Sequence, residues 1–256
     1  MKKKVLITGA SSGIGSAMAV EFAKRGNDLF LTGRDKKALE KLQKKIVSVY
    51  KVQTWIFELD LEKEHAVEQL YAETKDKCNT IDILVNNAGY GYVGEFLSGR
   101  KGCIDGMINV NMRVLTHLIS CYAKDMKEKG EGHILNVAST GSYHPGPYTA
   151  VYYATKAYVL SLSEALSEEF KPYGIIVSAV CPGATRTQFS KRAGRRENKF
   201  AMSPEYVAKK AIQGLVRKKR VIVPKFIYKC FIRIPRRIAT FFIGRQQKKL
   251  RYDIDN

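Results

Sequence analysis

Tyr152 and Lys156 stand four residues apart in Tyr152-Tyr153-Ala154-Thr155-Lys156. On a helix, residues at that spacing share a face, which brings the Lys156 ammonium beside the Tyr152 phenol. A free phenol has a pKa of about 10 and is nearly inert as an acid–base group at neutral pH. A neighbouring cation favours the phenolate and draws the group toward the working range. Far upstream runs Thr8-Gly9-Ala10-Ser11-Ser12-Gly13-Ile14-Gly15. Its glycines permit a tight turn and a close backbone approach to a pyrophosphate, and the N-terminus of a following helix favours the anion. A dinucleotide site joined to a tuned phenol points to hydride transfer coupled to proton transfer.

The elements that must position these groups are legible as alternating runs. Short apolar or β-branched runs predict strands at Val5–Thr8, Leu29–Thr32, Thr54–Leu59, Ile81–Val85, Ile134–Val137, Ile175–Val180 and Val221–Val223. Amphipathic stretches predict helices at Ile14–Arg25, Lys36–Val47, Lys63–Lys77, Gly102–Lys129, Ala150–Tyr173 and Pro204–Arg217. Such alternation implies a three-layer α/β fold: a doubly wound, mostly parallel sheet of about seven strands, with helices on both faces. The chain has 256 residues, 45% of them hydrophobic, enough for one full-sized core. The expected division is a catalytic domain over residues 1–223 and a basic C-terminal extension over 224–256.

The glycine segment lies between the first strand and first helix, so Gly9, Ser11, Ser12, Gly13, Ile14 and Gly15 are the expected phosphate contacts. The second strand ends Leu31-Thr32-Gly33-Arg34. NAD-selective sheets place an acid near this point to accept from the ribose 2′-hydroxyl. Arg34 instead suits a 2′-phosphate, which it could bind bidentately, so NADP(H) is the expected cofactor. The plainer reading of Arg34 is a solvated helix start. Asp60 and Leu61 follow the third strand and are expected at the adenine. Asn87, Ala88 and Gly89 follow the fourth and are expected near the adenine ribose, although Asn-Gly clusters also make ordinary turns.

Thr8-Gly9-x-x-x-Gly13-x-Gly15, Asn86-Asn87-Ala88-Gly89, Ser139, Tyr152-x-x-x-Lys156 and Pro182-Gly183 occur in the order seen in the short-chain dehydrogenase/reductase family. The chain resembles that family over roughly residues 4 to 223. The resemblance implies a Rossmann-type domain, a nicotinamide cofactor and an Asn–Ser–Tyr–Lys catalytic set. Tyr152 would be the acid–base group, and Lys156 would lower its pKa while holding the nicotinamide ribose. Ser139 would hydrogen-bond the substrate oxygen, and Asn111 would help order a proton-relay water. Pro182, Gly183, Thr185 and Thr187 would contact the nicotinamide end. Tyr153 points about 100° away around the helix and is read as packing or substrate-facing.

The implied function is an NADP(H)-dependent oxidoreductase acting on a carbonyl or alcohol, with lipid-like ketones or acyl thioesters as a narrower class. The alternative is a non-catalytic NADP-sensing interaction protein on the same fold. Ala184–Met202 is expected to cover the pocket; its Lys191, Arg192, Arg195 and Arg196 suit an acidic or carrier-bound substrate, or simply solvent. Tyr143, His144, Pro145 and Tyr148 are expected to line the pocket. A homodimer or homotetramer is expected.

Five scattered cysteines form no CxxC pair, which argues against a disulfide framework or a zinc site and fits a reducing, cytoplasmic compartment. No metal is expected. The net charge is +20, and thirteen Lys/Arg with no Asp/Glu lie between Arg217 and Arg251. Phe226, Ile227, Phe231, Ile234, Ile238, Phe241 and Phe242 recur among these cations at roughly helical spacing, with Pro235 set to start a second helix. An amphipathic, aromatic and cationic helix of this kind suits an anionic membrane surface. Packing on the domain, covering the pocket and contacting a second subunit are equally consistent with the same stripe. Nucleic acid is disfavoured, because no recognition motif accompanies the charge.

Overall fold

The computed structural model describes residues 2–98, 101–194, 196 and 201–250. Its centre is a seven-stranded sheet in the order β3-β2-β1-β4-β5-β6-β7, every pairing parallel. The strands are β1 Lys4–Thr8, β2 Asp28–Gly33, β3 Thr54–Glu58, β4 Ile83–Asn86, β5 Gly132–Val137, β6 Ile175–Val180 and β7 Val221–Ile222. The expected sheet is therefore observed, and it is wholly parallel across the described residues.

Alternate residues of one strand feed opposite cores, as the pleat requires. Leu6, Leu84, Ile134 and Val177 enter one apolar layer, with Tyr122, Leu118 and Val159. Val5, Ile7, Val85, Leu135 and Val180 enter the other, with Met18, Leu39 and Ile212. Both faces of the strands are thus covered by helices, which is why the strand sequences are nearly continuous apolar runs.

The helices are α1 Gly13–Ala23, α2 Lys36–Tyr50, α3 Ala66–Lys77, α4 Lys101–Ile108, α5 Leu115–Lys129, α6 Ala150–Glu169, α7 Gln188–Arg192, α8 Pro204–Val216, α9 Phe226–Phe231 and α10 Arg236–Leu250. Two expected helices are divided. The long one over 102–129 contains a π-helical segment, Asn109–Val114, between α4 and α5. The one over 150–173 ends at Glu169, and Lys171–Tyr173 forms a 3-10 turn. Pro172 has no N–H with which to continue the α-helical ladder, and Gly174 closes the turn at φ 69°.

The strand order reverses at β1, with β2 on one side and β4 on the other. Crevices outside the carboxyl ends of parallel strands open at such a switch point. The β1–α1, β4–α4, β5–α6 and β6–α7 connections all emerge there.

Candidate active site

Those connections enclose a cavity of about 450 Å³. One end is a glycine cradle. Gly9 and Gly13 have φ of +64° and +57°, a left-handed region that glycine enters without the steric cost a Cβ carries. A Cβ on Gly9 would come within 2.9 Å of the Ala88 Cα. Ser12, the residue preceding α1, makes no side-chain cap bond, so the α1 amides are left to an external acceptor. The concave backbone and the uncapped helix start fit a pyrophosphate. Asn87 staples the cradle from β4: its Nδ2 donates to the Thr8 and Gly9 carbonyls at 2.9 and 3.1 Å.

Gly9, Ser11, Ser12, Gly13 and Ile14 all line the cavity, as do Arg34, Asp60, Leu61, Asn87, Ala88 and Gly89. Gly15 does not. A Cβ there would collide with the Gly9 carbonyl and Asn87, so Gly15 lets the cradle close on itself. At the far end Arg34 is half exposed, with Nη1 3.6 Å from the Glu62 carboxylate. Glu62 was not foreseen from the sequence. Asp35, one residue after Arg34, is occupied as the α2 N-cap, accepting from Ala38 N at 3.0 Å.

The other end carries the chemical groups. Lys156 is 5% exposed, and its Nζ donates to the Val137 carbonyl at 2.8 Å. The same Nζ lies 6.0 Å from the centre of the Tyr152 ring, as the four-residue spacing requires. Ser139 lies two residues beyond β5, at the start of the 3-10 turn Thr140–Tyr143, and accepts from Gly141 N at 3.0 Å, which leaves its hydroxyl proton to donate elsewhere. Ser142 fixes this turn to α6, donating to the Lys156 carbonyl at 2.7 Å. Ser139, Tyr152 and Lys156 all line the cavity, with Pro182, Gly183, Thr185 and Thr187 opposite. Thr187 closes over the cradle: a Cβ on Gly13 would meet its methyl at 3.0 Å.

Asn111 is fully buried behind this wall, not on it. Its Oδ1 accepts from Tyr90 N at 3.2 Å, and its Nδ2 donates to Tyr90 O and Thr155 Oγ1, each at 3.0 Å. It sits within the π-helical segment, a distortion that often marks functional positions.

Burial pushes the Lys156 ammonium down from 10.5 to about 8, with the Cys181 thiol opposing as the lesser influence. A cation whose folded pKa lies below its unfolded one penalises folding fully below pH about 8. The penalty is relieved as pH rises toward 10.5, because the folded chain has then lost a proton that the unfolded chain retains. Lys156→Met, without cofactor, is therefore expected to be more stable relative to the native chain near neutrality. That advantage should shrink by about 1.4 kcal/mol per pH unit above 8. Urea denaturation of both proteins at about pH 7 and about pH 9.5 checks this. A pH-independent difference would contradict it.

Four expected pocket residues are placed elsewhere. Tyr143, His144 and Pro145 are not on the cavity, because the 3-10 turn Thr140–Tyr143 carries the chain away from it. Tyr143 packs on the core, where burial raises its phenol pKa. His144 Nε2 lies 3.1 Å from the Phe231 carbonyl and anchors the C-terminal segment. Tyr148 borders a much smaller neighbouring cleft. Tyr153 does face the main cavity, its ring packed by Gly141 and Gly146.

Several lining residues were missed. Tyr90, Gly91 and Tyr92 follow Asn87-Ala88-Gly89 directly, and continuing that motif would have found them. Phe189 of α7 stands 5.3 Å from Tyr152, ring to ring. Tyr228, Phe231, Ile243, Gln246 and Gln247 come from the C-terminal helices. Of the residues expected to cover the pocket, Arg192 lines it, Lys191 and Arg196 are exposed, and Arg195 lies outside the described residues, as does Arg251 of the basic tail.

The short chain dehydrogenase family model matches residues 3–198. A short-chain dehydrogenase from Sphingobium yanoikuyae in complex with NADPH is 33% identical, with a TM-score of 0.84 over 99% of this chain and 98% of that one. A bulky-bulky ketone specific alcohol dehydrogenase from Comamonas testosteroni is 30% identical, with a TM-score of 0.80 over 99% and 97%. A 3-ketoacyl-(acyl-carrier-protein) reductase from Brucella melitensis complexed with NADH is 31% identical, with a TM-score of 0.75 over 86% and 94%. By this family match and these similarities, the chain belongs to the short-chain dehydrogenase family of oxidoreductases.

Proposed function

We propose that this protein is an NADP(H)-dependent reductase of bulky, largely apolar carbonyl compounds, with Tyr152 as the proton donor. The observation that carries the reading is the buried Lys156 ammonium beside the Tyr152 ring, with Ser139 on the same cavity wall. With its pyrophosphate held by the cradle, a bound nicotinamide dinucleotide would supply the hydride at the other end of the cavity. Ser139 Oγ and the Tyr152 hydroxyl hold the carbonyl oxygen, and Tyr152 passes its proton to that oxygen as negative charge develops there. Lys156 Nζ stabilises the phenolate left on Tyr152, an electrostatic contribution made stronger by burial. Asn111 acts through position, holding the Tyr90 backbone and α6 by its amide bonds. Phe189, Tyr228, Phe231 and Ile243 give the substrate end its apolar walls, which suits the lipid-like ketone or acyl thioester class. In this reading residues 1–223 are the catalytic domain of a cytoplasmic homo-oligomer, and 224–256 form its extension, which touches an anionic membrane surface.

The preference for NADP(H) rests on Arg34. A 2′-phosphate would draw the guanidinium from Glu62, an exposed pair worth no more than about 1 kcal/mol. Arg34→Ala is expected to weaken NADPH roughly 10- to 100-fold, the worth of a charged hydrogen-bonded contact, and to leave NADH nearly unchanged. Glu62→Gln should tighten NADPH by up to about fivefold. Titration calorimetry with both cofactors decides it, and equal loss for NADH and NADPH would remove the assignment. The whole reading is tested by a carbonyl panel with NADPH, following cofactor oxidation. Binding without turnover on any ketone would favour the cofactor-sensing alternative.

A further inference from the structure

The C-terminal segment has two faces with different fates. After Pro224 the chain makes α9, turns at Pro235 and makes α10. In α10, Ala239, Ile243 and Gln247 are spaced four apart and are buried. Ile243 and Gln247 reach the cavity, as do Tyr228 and Phe231 of α9. A Cβ on Gly183 would collide with the Tyr228 ring, so α9 lies directly on the nicotinamide-end loop. Gln247 Nε2 donates weakly to the Tyr153 hydroxyl at 3.5 Å. These two helices roof the substrate end of the pocket.

The opposite face is apolar and open. Phe226, Phe241 and Phe242 are 76%, 57% and 62% exposed, with Ile227 and Ile238 beside them. The Arg245 guanidinium lies 4.7 Å above the Phe241 ring, so cation and aromatic surface are interleaved. Residues 224–250 carry eight Lys/Arg and no Asp/Glu. A second copy of the chain on this face would set these cations against an identical set, which like-charge repulsion opposes. An anionic bilayer matches both properties: headgroups meet the cations, and the phenylalanines enter the acyl boundary. α10 has 15 described residues, short of the roughly 20 that a span requires, so its match to a bilayer is with the surface and not the interior.

We propose that α9 and α10 form a membrane-docking roof: the outer face seats on an anionic bilayer, and the inner face admits substrate to the pocket from the lipid side. This rests on the reductase reading above and adds the source of its substrate. Among the described residues, hydrogen bonds tie the roof to the domain, including one from the Arg196 N–H to the Leu250 carbonyl at 2.9 Å. Others join His144 with the Phe231 carbonyl, Tyr206 with the Pro224 carbonyl, and Gln247 with Tyr153.

The test uses the full chain with vesicles of phosphatidylcholine alone or mixed with phosphatidylglycerol. Co-sedimentation is expected with the anionic vesicles, weakening as salt rises. Arg236→Gln with Arg237→Gln should weaken it by roughly fivefold per cation. The triple variant Phe226→Ser, Phe241→Ser, Phe242→Ser should lose the salt-resistant part. Anionic vesicles should raise the native rate on a bilayer-partitioned ketone relative to a water-soluble ketone. The triple variant should lose that enhancement and keep its rate on the soluble ketone. A native chain that ignores anionic vesicles overturns the proposal, as does a triple variant that falls from dimer to monomer, which would make the face a subunit contact. An unchanged ratio of the two ketone rates on bound vesicles overturns the substrate route. Vesicle binding with no turnover of any ketone would instead contradict the reductase reading and leave the docking intact.

Discussion

Tyr152→Phe is expected to lower kcat for ketone reduction by about 10²- to 10⁴-fold, the usual worth of a positioned general acid. The substitution deletes the hydroxyl and keeps the ring. Contacts of that ring with Phe189 at 5.3 Å and with the Lys156 ammonium at 6.0 Å persist, so the cavity wall stands. NADPH affinity should therefore change little. Tyr153→Phe is the control on the neighbouring position. It loses a weak bond from Gln247, and its effect should stay under about tenfold, consistent with one neutral hydrogen bond. Steady-state kinetics with calorimetric cofactor titration measures both. A Tyr153 variant more damaging than the Tyr152 one would move the proton donor by one residue and break the pairing with Lys156.

Lys156→Met should cost about 10²- to 10³-fold in kcat, as removal of a preorganised charge at a reacting oxygen does. Methionine keeps the stem and drops the ammonium, leaving the Val137 carbonyl without its 2.8 Å donor. NADPH binding should weaken as well, because the family resemblance assigns Nζ to holding the nicotinamide ribose. The sharper signature is in the reverse reaction. Alcohol oxidation needs the Tyr152 phenolate, and without the cation the phenol returns toward its ordinary pKa of about 10. The pH of half-maximal oxidation should therefore rise in the variant. A profile that only falls in height, with its midpoint fixed, would mean that Lys156 serves packing and cofactor binding but not the phenol.

The parts of this site that were legible in the sequence are those set by local spacing. Tyr152 and Lys156 needed only a helical period to be brought together. The cradle needed only glycines between a strand and a helix, since Gly9 and Gly13 occupy left-handed backbone that other residues resist. The sheet was legible because strands buried on both faces must be apolar throughout. What stayed hidden depends on long-range packing. Glu62 reaches Arg34 through the register of β2 beside β3, which no local pattern announces. The π-helical segment that carries Asn111 has no composition cue, and the structure spends that amide on Tyr90 and Thr155. The apolar stripe of the tail was visible, but which side of it met the pocket was decided by tertiary contact. Ala239, Ile243 and Gln247 turned inward; Phe241 and Phe242 stayed outside, although they are the larger apolar groups.

In the proposed reaction a hydride passes from NADPH to a carbonyl carbon while Tyr152 supplies the proton. NADPH deuterated at its transferable nicotinamide position, incubated with a bulky ketone, tests it most directly by mass spectrometry of the product. One deuterium is expected on the carbinol carbon for each NADPH oxidised by the native chain, with its rate of formation strongly diminished in Tyr152→Phe. Tight NADPH binding with no deuterium transferred to any carbonyl, or equal transfer by Tyr152→Phe, would contradict it.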